Sequence, residues 1–216
     1  MKACADRRPL RLLWLTSALL LAACGSAPKR DTPPDPPSAE QAAPVPDKGD
    51  PEGRFQAALQ LMKQRKTAEA EAAFLALSQD FPDFSGPLTN IGILNALADK
   101  PQVALTAFTR AAETNPDNVS AFNWLGILHR QAGDARRARQ AYERALAVKP
   151  DYASAHFNLG LLCDEVTNEA DCALRHYGEY QRLTAGKDLR VLVWIAELEA
   201  EQREQRAREP AEVEVK

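Results

Sequence analysis

The side chains with nucleophilic, redox or metal-ligating capacity are few: four cysteines and three histidines. Cys4 and Cys24 bracket an N-terminal apolar run, while Cys163 and Cys172 lie near one another in the C-terminal half. Two thiols so placed can form a bridge or stay as a pair of buried thiols. No pair of histidines has the spacing to complete a zinc site with them, so no metal is expected. His129, His156 and His176 are better explained by packing than by ligation. The sequence has no Gly-rich phosphate loop, no His-Glu-x-x-His and no nucleophile-elbow serine. Asp164-Glu165 is an acidic pair, but adjacent acids on a helix usually mark a solvated face. These residues point away from an enzyme, a cofactor and a small-molecule substrate.

Composition narrows the class further. The chain has 216 residues, long enough to bury a core. Its net charge of −3 does not supply the basic face of a nucleic-acid binder. Aromatic content of 6%, beside abundant Ala, Leu, Glu and Arg, favours helix over sheet.

Three unlike regions must position these side chains. Residues 1–11 carry Lys2, Arg7, Arg8 and Arg11 against the single acid Asp6, and Leu12–Ala23 is apolar. That run is too short to cross a hydrocarbon core of about 30 Å, and a basic segment before a short apolar one is the pattern of a secretory signal peptide. Its end, Leu21-Ala22-Ala23-Cys24 followed by Gly25-Ser26, resembles the lipobox of bacterial lipoproteins. The resemblance implies cleavage after residue 23 and a diacylglyceryl, palmitate-type anchor on the Cys24 thiol. In that family an Asp after the lipidated Cys often retains the protein in the inner membrane. Gly25 lacks that signal, which implies the outer membrane, facing the periplasm. Loss of 1–23 removes four basic residues and one acid, so the remainder is more acidic than the whole chain. Acyl chains, not attraction to anionic lipid, would hold it.

Residues 24–50 are a Pro-rich segment. Seven of the fifteen prolines fall within it, including Pro33-Pro34-Asp35-Pro36-Pro37, and Pro51 follows directly. With almost nothing apolar to bury, such a stretch is expected to be a disordered tether with a reach of roughly 80 Å.

The remainder repeats. Gly92, Gly126 and Gly160 are 34 residues apart, and Pro82, Pro116 and Pro150 keep the same interval. Ala70, Ala104 and Ala138 do so as well, as do Phe74, Phe108 and Tyr142. Small residues at fixed places let two helices approach, a ring fills the space between them, and Pro stops the second helix. This resembles the tetratricopeptide repeat (TPR), a helix-turn-helix unit of 34 residues. The resemblance implies an all-α solenoid with repeats at 51–84, 85–118, 119–152 and 153–187. In the third, Gly133 is expected to cap the first helix and Asp134 to start the second. The fourth has one extra residue, expected in its turn, which shifts its Ala and ring to Ala173 and Tyr177. Residues 188–209 are expected to form a capping helix over the last apolar face, followed by an acidic tail at 210–216.

In this register Cys163 falls late in the first helix of the fourth repeat and Cys172 at the start of the second. With an oxidising periplasm, a disulfide is the expected state, and two buried thiols are the alternative.

In the TPR family, positions 2, 5, 9, 12 and 13 of each first helix line a concave surface. Carried onto this sequence, they give an apolar floor of Leu59, Ile93, Ile127 and Leu161. Thr89, Leu97, Asn123, Arg130, Phe157 and Asp164 would line the rest. Such a surface suits a protein segment docking by apolar anchors with a few polar contacts. The Lys/Asn clamp that some TPR domains use for a C-terminal carboxylate is absent from positions 5 and 9. Lipid-anchored TPR proteins of this size include ones that assemble type IV pilus secretins. The run His176–Leu183, with Val193–Leu198, also resembles a TPR group associated with TonB-type systems. The expected function is a periplasmic scaffold that binds a protein partner and supports assembly of an envelope complex. The alternatives are an adaptor for peptidoglycan-processing enzymes, or a self-associating structural lipoprotein without a groove ligand.

Overall fold

The computed structural model describes residues 48–208. The signal segment 1–23, Cys24, the tether up to residue 47 and the tail from 209 lie outside the described residues. The helices are α1 Pro51–Lys63, α2 Thr67–Asp80, α3 Ser85–Leu97, α4 Pro101–Thr114, α5 Val119–Gln131 and α6 Ala135–Val148. Then come α7 Ala153–Leu161, a π-helical turn Leu162–Val166, α8 Ala170–Leu183 and α9 Leu189–Arg208. No strand occurs among the described residues. Each helix packs antiparallel on the next, giving four hairpins and a final helix on α8.

Local chemistry sets the helix ends. The Asp50 carboxylate accepts from the N–H groups of Glu52 and Gly53, and Pro51 at the first helical position has no N–H to leave unpaired. Asn118 caps α5 through the Ala121 N–H, and Asp134 caps α6 through the Arg137 N–H. The first three hairpins turn identically. Arg65, Asp99 and Gly133, at matching places in successive repeats, adopt φ of 60°, 56° and 79°. The next N–H then reaches five residues back: Lys66 to Leu61 O at 3.0 Å, Lys100 to Asn95 O at 2.9 Å and Asp134 to His129 O at 2.9 Å. These bonds satisfy carbonyls that the helix end would orphan. Only the third turn uses glycine.

The fourth repeat differs from the expectation. Its extra residue lies at the end of the first helix, wound into the π-helical turn where Thr167 N–H bonds Leu162 O at 3.1 Å. Asn168 then takes the left-handed position, φ 52°, one residue later than the register predicts. One additional residue in a helix is accommodated as a single π-helical turn.

The 34-residue spacing of glycines has a steric cause. A Cβ on Gly92 would lie 2.6 Å from the Phe108 ring, and one on Gly126 or Gly160 would collide with the rings of Tyr142 and Tyr177. All three rings are fully buried. Ala70, Ala104, Ala138 and Ala173 are buried too, so paired helices meet over small residues with one ring wedged between them. Where the ring is Tyr177, its hydroxyl donates to Asp164 Oδ2 at 3.1 Å.

Helix α9 closes the described array by burying Val191 and Leu198 against the fourth hairpin. Its Trp194 ring lies 6.3 Å from Phe157 and 5.7 Å from Tyr177, centroid to centroid. At the two ends of this contact, Gln181 Nε2 donates to Asp188 O, and Gln202 Nε2 donates to Asp171 Oδ1 at 2.7 Å.

Candidate protein-binding groove

The four residues expected as a floor share one environment. Leu59, Ile93, Ile127 and Leu161 are each half-buried, rooted in a core cluster yet still reached by solvent. Each comes from the first helix of its hairpin, at the ninth position. Leu97 projects outward, with 74% of its surface exposed, the most of any large hydrophobic among the described residues. These five form the apolar lining that a docking segment would meet.

The polar positions behave differently. Thr89 and Asn123 are buried and already bonded. Asn118 Nδ2 donates to Thr89 Oγ1 at 2.8 Å and Ser85 Oγ at 3.1 Å, while Asn158 Nδ2 donates to Asn123 Oδ1 at 3.0 Å. Asn95 Nδ2 likewise donates to Glu71 Oε1 at 2.9 Å. All of these bonds run from one hairpin to the next, so Thr89 and Asn123 hold the array together instead of standing open to a ligand. Arg130 reaches Glu165 at 3.6 Å, and its Nε is buried without a hydrogen-bond partner, as is the Tyr142 hydroxyl. Asp164 is engaged by Tyr177, whose hydroxyl proton is held tightly by burial and by that neighbouring carboxylate. Phe157 is half-buried among Tyr180, Tyr177 and Trp194. The open surface is therefore more apolar than the sequence register suggests.

The cysteines form a Cys163–Cys172 disulfide, with Cα atoms 5.8 Å apart, joining the π-helical turn to α8. Beside it Arg139 of α6 reaches across to Glu169 at 2.6 Å and Thr167 at 3.4 Å, tying the third hairpin to the fourth. His156 and His176 pair with each other in the fourth hairpin. Their Nδ1 atoms are 3.0 Å apart, and His156 Nε2 bonds the Pro150 carbonyl at 2.9 Å. Burial, the neighbouring His156 and Arg175 lower the His176 pKa to about 4. His129 is lowered by burial as well. Sequence reasoning placed these rings in packing positions without finding their mutual contact. It also did not single out an apolar cleft of about 430 Å3 lined by Leu75, Leu88, Ile91, Val103 and Ala107, from α2, α3 and α4.

Antiparallel hairpins in one register, a ring seated on a glycine in three of them and an accessible row of first-helix residues define a tetratricopeptide-repeat solenoid. Sequence comparison places the repeat directly on this chain: the family described as TPR repeat matches residues 128–163, and that described as tetratricopeptide repeat matches 107–140. No curated protein matches the sequence. Among solved structures, Pseudomonas aeruginosa pilF is similar at a TM-score of 0.63 and 17% identity, covering 71% of this chain and 69% of that one. MamA from Desulfovibrio magneticus RS-1 gives 0.61 and 17%, covering 74% and 90%. TTC0263, a TPR protein of Thermus thermophilus, gives 0.57 and 22%, covering 69% and 81%. At these identities the likeness is one of fold. What the matches and the geometry share is the fold: an all-α array of TPR helix-turn-helix units.

Proposed function

We propose that this protein is a periplasmic scaffold that binds a protein partner along the first-helix face and supports assembly of an envelope complex. The observation that carries the reading is the row Leu59, Ile93, Ile127 and Leu161, apolar and solvent-reached in four successive hairpins. A continuous strip of apolar side chains on a rigid array suits a peptide or helix that brings apolar anchors at regular spacing. In this reading Cys24 carries acyl chains, and the Pro-rich segment lets the array sample the space beneath the outer membrane. Pilus-secretin assembly or a TonB-type system is the setting that the sequence resemblances favour.

Photo-crosslinking from position 127 in intact cells tests the groove. Recovery of a single envelope protein, lost on Ile93→Lys, supports the reading and names the pathway. A peptidoglycan hydrolase or synthase in that position would move the protein to the adaptor class. Recovery of this chain's own C-terminal segment alone would overturn a groove ligand. For the anchor, Cys24→Ser should move the protein from the membrane fraction to the soluble periplasm, and unchanged fractionation would sink the lipoprotein assignment.

A further inference from the structure

The outward face of α9 is apolar where a terminal helix would be expected to be polar. Leu189, Leu192 and Val193 are 71%, 42% and 54% exposed, and Ala196 is exposed on the same stripe. Their spacing of three and four residues puts them on one side of the helix, opposite the buried Val191 and Leu198. Solvated terminal faces are what keep repeat arrays soluble, so this stripe departs from the usual device.

Charge flanks the stripe asymmetrically. Arg190 lies on one edge at its N-terminal end, 74% exposed at the side chain and paired with Asp188 at 3.0 Å. Glu197 and Glu201 lie on the same edge, two and three turns further on, and both are exposed. Neither forms an ion pair among the described residues, whereas Glu199 pairs with Arg203 and Glu204 with Arg208. An apolar centre with a cation at one end and unpaired anions at the other, all on one edge, is self-complementary under a two-fold rotation. When two such helices cross antiparallel near residue 194, equivalent edges meet. Val193 then faces Ala196 of the second copy, Leu189 faces Ala200, and Arg190 falls between Glu197 and Glu201. A parallel pairing would bring opposite edges together and leave Arg190 away from Glu197 and Glu201.

We infer that α9 is an isologous dimer contact whose occupant is a second copy of this chain. Four apolar side chains per copy make a small interface, so the dimer is concentration-dependent, forming across about 1 to 100 μM. It stands independently of the groove reading, because the floor residues Leu59, Ile93 and Ile127 belong to other helices.

Sedimentation equilibrium of the full chain over that range should show monomer giving way to dimer. Glu197→Arg with Glu201→Arg should weaken association at least tenfold, and adding Arg190→Glu should restore it. A Val193→Cys variant should be joined to a second copy by a short bis-maleimide far faster than a Leu75→Cys variant, whose residue is 50% exposed on α2. A constant monomer mass overturns the inference. So do equal cross-linking rates at the two positions, or dimerisation indifferent to the charge changes, any of which would leave the stripe to another occupant.

Discussion

His156 and His176 share a hydrogen bond between Nδ1 atoms 3.0 Å apart, and the far nitrogen of His156 donates to the Pro150 carbonyl. With Nε2 of His156 carrying a proton, its Nδ1 accepts from His176, so the pair is satisfied with both rings neutral. Arg175 and Arg139 add positive potential around His176, and Glu179 opposes them weakly. In the folded protein His176 binds a proton only near pH 4, whereas in the unfolded chain it does so near 6.5. The unfolded state therefore takes up the proton first as pH falls. Stability is fully present above about pH 6.5 and declines from there towards pH 4. Thermal unfolding followed by circular dichroism should show this decline, and His176→Gln should flatten it within that window. An unchanged profile in the variant would exclude His176 as its source.

Glycine substitutions should separate by environment. Gly126→Ala drives a methyl into the buried Tyr142 ring and should cost about 1–3 kcal/mol. Gly133→Ala meets no atom but must hold φ 79°, a left-handed cost of about 1 kcal/mol. Gly178→Ala, inside α8 with open space at its Cβ, should stabilise by roughly 0.5–1 kcal/mol. Urea unfolding of the three variants checks the order, and a Gly126→Ala no worse than Gly133→Ala would refute the steric account.

Removing the disulfide should loosen the fourth hairpin. The bond closes a short loop between residues nine apart in sequence, and replacing both Cys163 and Cys172 by Ala should cost roughly 2–3 kcal/mol. Thiol labelling in denaturant without reductant should modify neither residue, and labelling of both would contradict the bridge.

Caps that also reach a neighbouring hairpin should matter more than caps that do not. Asn118 accepts from the Ala121 N–H and donates to Ser85 and Thr89, whereas Asp134 accepts from Arg137 within its own helix and forms a surface ion pair with the same residue. Asn118→Ala should cost about 2–3 kcal/mol, since it removes the cap and the bonds to Ser85 Oγ and Thr89 Oγ1 and leaves Thr89 only its bond to the Ser85 carbonyl, against about 1 kcal/mol for Asp134→Ala. Equal losses from chemical denaturation would mean the bonds between hairpins contribute nothing.

The repeat was legible because its cause is local and steric. A ring wedged between helices leaves no room for a Cβ, so Gly92, Gly126 and Gly160 recur in step with Phe108, Tyr142 and Tyr177. The left-handed turn residues were legible only at Gly133, since Arg65, Asp99 and Asn168 fill the same role without glycine and the neighbouring carbonyls hold them there. The environments of the candidate groove residues were only partly legible. Register alone put Leu59, Ile93, Ile127 and Leu161 in one row, but it assigned Thr89 and Asn123 to the ligand when Asn118 and Asn158 had already taken them.

By itself the sequence determined the helical hairpin, its period and which residues meet inside it, because those contacts lie within one repeat. Only the tertiary structure decided what depends on how hairpins stack. The polar bonds from one hairpin to the next, the winding of the extra residue into a π-helical turn, the facing His156 and His176 and the outward apolar edge of α9 all arise there. Each is a contact, or a missing contact, between segments whose relative rotation no local pattern encodes.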